Sequence, residues 1–245
     1  MICRGCGLEK KLVEAHIIPR GFARQIMGDQ KHNLKISMES VGATHHGVYD
    51  REILCESCDG TLGKLDDYAL SVCQRFSAEH VVRPDRLFEL CDVDGDRFAA
   101  FVLSILWRAS ISSRPEFRKV SLGPFERQSH DVLFDISDLA RMGSFELIVG
   151  RFTNAPIRPE NFYKSPARTK MLDLNAWHFA LSGFKILAKM DQRRLPRELQ
   201  PAIVNGNNKL VGQFVNYMSS TEHETFRDMA IAQQTRRFHR ADHTE

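Results

Sequence analysis

Near the N-terminus, two short apolar runs read as strands. The first is Leu12-Val13-Glu14-Ala15-His16-Ile17-Ile18, closed by Pro19, which cannot donate to a sheet ladder. Side chains alternate along a strand, so Glu14 and His16 share one face and Val13, Ala15 and Ile17 the other. The second run is Val48 to Leu54. Between them, Arg24 to Gly47 is polar and glycine-bearing and reads as loop, with a short strand near Leu34-Lys35-Ile36. After Cys58 the period changes. Leu62, Leu65, Ala69, Val72 and Phe76 recur at helical spacing. Asp59, Gly63, Asp66 and Asp67 make a separate small, acidic stripe on the same helix.

The rest of the chain alternates between the two periods. Val81 to Asp96 reads as a connector or hairpin, and Arg97 to Ser112 as a core helix ended by Arg114-Pro115. Phe145 to Phe152 predicts a strand. Trp177 to Met190 predicts a bent strand or a hairpin about Gly183, and Leu210 to Tyr217 a further strand. Thr221 to Phe238 predicts a terminal helix with Ser219, Ser220 or Thr221 as its N-cap. The class is α+β, divided into residues 1–80 and a mixed α+β region of unrecognised family, 81–245.

Composition narrows the function. Hydrophobic residues are 42% and charged residues 27%, which excludes wholesale disorder. No run of 18 apolar residues offers a membrane span, and no basic segment leads into an apolar stretch as in a secretory leader. The expected setting is a cytoplasm that keeps thiols reduced. A net charge of +3 permits nucleic acid as a partner without arguing for it.

Four of the six cysteines then change the picture. Cys3-Arg4-Gly5-Cys6 and Cys55-Glu56-Ser57-Cys58 are two identical knuckles. Each lets one tight turn aim two sulfurs at a single ion, and together they complete the tetrahedral set of a structural Zn²⁺. Either pair alone could be a redox couple, but no thioredoxin-like pattern surrounds them. Four sulfurs leave no open coordination position, so such a site is structural. The 48 residues from 7 to 54 exceed the insert of a zinc ribbon, so something is mounted between the knuckles.

Other polar groups each carry two readings. Glu14 and His16 are a catalytic pair or a solvated strand face. Asp59 is a metal ligand or a helix cap, since carboxylates are favoured in a first helical turn. Asp66 and Asp67 otherwise lie on a solvated face. His45-His46 is a metal pair or a solvated turn, and Arg20 a phosphate contact or an exposed arginine. Asp92, Asp94 and Asp96 suggest a calcium loop only weakly, lacking the downstream glutamate. Lys185, Lys189, Arg193, Arg194 and Arg197 form a cationic cluster that is a phosphate contact or a solvated face. The tail Arg236-Arg237-Phe238-His239-Arg240 reads the same two ways. Cys73 and Cys91 read as ordinary buried cysteines.

The order of knuckle, strand with histidine and proline, loop, strand, knuckle and helix resembles the HNH (His-Me finger, ββα-metal) endonucleases that carry a four-cysteine zinc site. Ala15-His16-Ile17-Ile18-Pro19 matches the histidine motif and Leu54-Cys55-Glu56-Ser57-Cys58-Asp59 the second knuckle and helix start. The resemblance covers about the first 75 residues. It implies a treble-clef-like zinc/ββα-metal module over residues 1–80. It also implies His16 as general base on the attacking water, and a catalytic Mg²⁺ or Mn²⁺ held by Asp59 and His16. Asp50 stands at the middle Asn position. Ala15 stands where an acid or histidine ligand is expected, and Glu14, on the face of His16, is the candidate substitute. The implied activity is metal-dependent hydrolysis of phosphodiester bonds in DNA. Residues 81–245 would recognise substrate or partner, and the family often works as homodimers. The other reading is a non-catalytic zinc scaffold binding nucleic acid or protein.

Overall fold

The computed structural model describes residues 1–22, 33–36, 41–44, 48–79, 81–82, 87–134, 138–154, 162–225 and 227–228. Strand β1 (Ala15–Ile18) stops at Pro19, as a residue without an N–H requires. Its alternation holds: Ala15 and Ile17 are buried, His16 is half-buried, and Glu14 is exposed just before the strand. The middle of the insert holds the short strand expected near Leu34-Lys35-Ile36 and a second strand that was read as loop. β2 (Asn33–Ile36) and β3 (Val41–Thr44) pair as an antiparallel hairpin. Arg24, His45 and His46 lie outside the described residues. β4 (Val48–Asp50) returns to pair antiparallel with β1, setting Ala15 opposite Asp50 and His16 opposite Tyr49.

Helix α1 (Glu56–Glu79) begins a little before the expected start. The Cys55 carbonyl accepts its first bond from the Asp59 N–H at 2.9 Å. Leu62, Ala69, Val72 and Phe76 are its buried stripe. β5 (Val81–Val82) and β6 (Leu87–Cys91) make the anticipated hairpin. The acidic triplet after it is capping chemistry. Asp94 caps α2 (Gly95–Ile111), accepting from the Arg97 N–H at 2.9 Å, and Asp96 accepts from the Gly206 N–H. Cys73 is buried as expected, whereas Cys91 is exposed.

The remaining elements are α3 (Phe125–Leu133), an amphipathic helix not assigned above, and β7 (Phe145–Thr153), β8 (Phe162–Met171), β9 (Leu174–Leu181), β10 (Phe184–Met190) and β11 (Lys209–Asn216). β9 and β10 form the hairpin, turning through Ser182 (φ 50°) and Gly183 (φ 78°). Two left-handed residues are what a two-residue hairpin turn needs. A Cβ at Gly183 would also lie 2.5 Å from the Arg151 guanidinium. β8 escapes sequence reading because Pro166 interrupts it. The ladder to β9 shifts register between Lys164 and Ala167, where that proline has no N–H to give.

These strands form one mixed sheet in the order β3-β2-β8-β9-β10-β7-β11-β6-β5, parallel at β2–β8 and β7–β11 and antiparallel elsewhere. α1 and α2 cover one face. The Phe76 ring meets Phe88 and Phe184 edge-on at 4.9 and 5.0 Å, and Phe98 approaches Phe184. On the other face Leu195 and Ile203 pack against Leu174. One continuous buried cluster runs from Cys3 to Leu210. Packing is therefore continuous across residue 80.

Candidate metal centre and the polar face beside it

The sulfurs of Cys3, Cys6, Cys55 and Cys58 lie within 4.8 Å of one another. A Zn–S bond of about 2.3 Å places tetrahedral sulfurs about 3.8 Å apart, so the cluster can hold a metal ion such as zinc. The Cys6–Cys55 separation is 4.0 Å. Backbone N–H groups aim at the thiolates, as knuckles require: those of Gly5 and Cys55 point at Cys3 Sγ from 3.4 and 3.3 Å. A Cβ at Gly5 would lie 2.8 Å from Cys58 Sγ and 2.9 Å from the Phe134 ring, so only glycine closes this turn. The Ser57 hydroxyl and the Cys58 N–H bring the Cys55 thiol down to about 6, while burial pushes Cys58 up.

Three elements hold the knuckles in place. The Arg4 N–H donates to Ile53 O, Val13 N–H donates to Leu54 O, and Leu12 bridges Cys55. From α3, His130 Nε2 sits 2.6 Å from Gly5 O, and its ring contacts Trp107 and Phe134. The four-cysteine cluster is thus tied to the body of the protein through a histidine that the sequence did not flag.

Beside the cluster, the β1–β4 strand pair and the start of α1 place His16 near enough for its charge to act on the Asp59 carboxyl. Burial raises the Asp59 carboxyl, Asp66 raises it further, and the charges of Arg108 and His16 oppose the rise. Asp66, expected on a solvated face, is instead clamped by Arg108 of α2. The guanidinium donates to its two oxygens at 2.9 and 2.7 Å. Arg108 is 1% exposed and also donates to His16 O at 2.5 Å and to Ser104. It locks β1, α1 and α2 together. Burial raises the Asp66 carboxyl although Arg108 lowers it.

The other candidates separate. Glu14 is exposed and ion-paired with Arg51, whose hydrogen bond and charge hold its carboxyl below the usual range. Asp50 is 3% exposed and braces the junction. It accepts from the Glu52 N–H at 2.8 Å, the Ser112 hydroxyl at 2.7 Å and the Ser113 N–H at 3.1 Å. Among the described residues, no second group of three metal-ligating side chains accompanies the four cysteines. Arg20 is exposed.

Most of the cationic cluster is consumed internally. Lys185 pairs with Glu222, and Arg193 with Asp191. Lys189 is fully buried, paired with Glu146 and donating to the Asp191 and Arg193 carbonyls. Arg194 and Arg197 remain exposed. No helix among the described residues is long and apolar enough to cross a membrane. Comparison with protein-family models, curated proteins and solved structures finds no match.

Proposed function

We propose that the N-terminal part of this chain is an HNH-type endonuclease module that hydrolyses phosphodiester bonds in DNA, built on treble-clef-like zinc knuckles. The observation that carries this reading is that His16, on a strand pair, lies within electrostatic reach of Asp59 at the start of a helix, beside four convergent cysteines. Zinc holds the frame. His16 is the general base, since imidazole is the side chain whose ordinary pKa suits proton removal from water near neutral pH. Asp59 supplies the hard oxygen that would hold a Mg²⁺ or Mn²⁺, which would neutralise charge on the phosphate while His16 keeps its lone pair for the proton. One carboxylate is enough for an ion that keeps several waters. Asp50 braces the loop at the position the family gives to its middle Asn. Arg108, buried behind the pair, fixes β1 through the His16 carbonyl and takes no part in substrate contact.

The test is cleavage of supercoiled and linear DNA with Mg²⁺ or Mn²⁺ by wild type, His16→Ala and Asp59→Asn of matched zinc content. Loss of activity by a factor of about 100 or more in His16→Ala supports the assignment. Equal cleavage by all three overturns it. The zinc-scaffold reading is favoured by one observation: Asp66 is committed to Arg108, so no third ligand joins His16 and Asp59 among the described residues. It predicts no cleavage by any of the three and DNA or protein binding that His16→Ala leaves intact.

A further inference from the structure

On the sheet face turned away from α1 and α2, the register sets three residues in a row across β8, β9 and β10. Lys164 lies opposite Ala180, and Ala180 opposite Lys185. The row continues onto Gly150 of β7. Two lysines thus stand two strands apart, about 10 Å by sheet spacing, over a floor of small residues. His178 adds an imidazole to the same face, two residues along β9 from Ala180.

One carboxylate enters this cradle from above. Glu222, in the helical turn after β11, is fully buried. One oxygen is 3.3 Å from His178 Nδ1. The other is 3.0 Å from Lys185 Nζ and accepts from the Thr221 hydroxyl. Both oxygens are engaged, and Lys164 is not among their hydrogen-bond partners. Its side chain is 5% exposed, yet among the described residues its ammonium has no hydrogen bond or ion pair. Burial disfavours the charge of this ammonium, and the nearby Glu222 carboxylate offsets that cost only in part. The cradle holds two ammonium groups and an imidazole against one negative charge.

We propose that this face is a phosphate-binding site, and that Glu222 occupies it as an internal stand-in for the ligand. A phosphate dianion matches the two lysines in charge, and its several acceptor oxygens reach Lys164, Lys185 and His178 together. A single carboxylate spans only two of the three. Binding displaces Glu222 and, with it, the segment from Tyr217 that rests on this face through Tyr217 and Glu222. The site is independent of the chemistry assigned to residues 1–80.

The experiment is calorimetric titration of the full chain with inorganic phosphate, against chloride of matched ionic strength. The proteins are wild type, Glu222→Gln and the double variant Lys164→Met/Glu222→Gln. With its internal competitor neutralised, Glu222→Gln binds phosphate at least tenfold more tightly than wild type, and the double variant loses that gain. A Glu222→Gln no tighter than wild type, or a double variant that still binds, overturns the proposal. Should Glu222→Gln fail to fold, Glu222→Asp withdraws the carboxylate by one methylene. Phosphate must then raise its unfolding temperature more than wild type's, and an equal rise overturns the proposal. An unphosphorylated single-stranded DNA oligonucleotide that competes with phosphate assigns the site to a nucleic-acid backbone, and one that does not assigns it to free phosphate.

Discussion

Arg108→Met tests the lock that joins β1, α1 and α2. The guanidinium is 1% exposed and makes two bonds to Asp66, one to His16 O and two to Ser104. Methionine fills similar space without donors. It leaves the Asp66 carboxylate, only 13% exposed, without its cation, and the His16 carbonyl without its donor. Breaking such a pair from one side costs about 3–5 kcal/mol, most of it the penalty of an uncompensated buried charge. For a chain of this length that is a fall in unfolding temperature of about 6–20 °C. The loss must shrink with acid. Asp66 already carries a raised carboxyl pKa from burial, and removing Arg108 raises it further. A carboxyl whose folded pKa lies above its unfolded value favours the folded state when protonated. The deficit is therefore smallest below the unfolded pKa and grows as pH rises through the folded one. Urea unfolding at pH 7 and pH 5, with Arg108→Met/Asp66→Asn alongside, measures it. The double variant recovers much of the loss, because no buried charge remains. A single variant within 1 kcal/mol of wild type at pH 7, or a double variant no better than the single, refutes the reasoning.

Three further outcomes are expected. Cys55→Ser removes one sulfur from the metal cluster, so zinc by elemental analysis falls from about one per chain to a small fraction. Proteolysis should then begin near the knuckles, since metal-binding energy is folding energy in such sites. Asp50→Ala strips an acceptor from the Glu52 and Ser113 N–H groups and the Ser112 hydroxyl. It should cost about 2–3 kcal/mol in chemical denaturation, and a loss under 0.5 kcal/mol would show the brace to be dispensable. Burial disfavours the Glu222 charge, but the His178 hydrogen bond and the Lys185 and Lys164 charges overcome it and bring the carboxyl down to about 2. Its ordinary value is 4.5. A depressed carboxyl stabilises above its unfolded pKa. Wild type should therefore lose on the order of 3 kcal/mol between pH 4.5 and pH 2, a decline that Glu222→Gln does not share.

Local chemistry made part of this molecule readable. The twin CxxC spacing located the metal cluster, Pro19 the end of β1, and the spacing from Leu62 to Phe76 the buried stripe of α1. Ser182 and Gly183, read only as a bend or hairpin, resolve into a turn because both adopt left-handed backbone. Groups whose role depends on a distant partner were not readable. Asp66 looks solvated until Arg108, on another helix, reaches it. Arg108 itself hides in an apolar helix, where a charged residue among buried neighbours was the one available signal. Lys185 and Lys189 resemble a cationic surface until Glu222 and Glu146 neutralise them. Pro166 interrupts β8, and β3 looked like loop, whereas the short strand near Leu34-Lys35-Ile36 is β2. For the site, the residue types at positions 16 and 59 were legible. The pairing of Glu14 with Arg51 was not.

The parallel pairing of β2 with β8 bears on how the chain is made. Ile36 and Phe162, at the ends of those strands, are 126 positions apart (162 − 36). At about 5–20 residues per second, translation needs on the order of 6–25 s to deliver β8 after β2 has been made. The knuckles need only Cys58 to close, so metal can be captured long before the strands mounted between them find their place in the sheet. During that interval the β2–β3 hairpin has an open edge with unpaired backbone groups, the kind of surface on which nascent chains join one another. A metal held early by the four cysteines would fix both ends of the insert and shorten the search that β2 must make once β8 arrives.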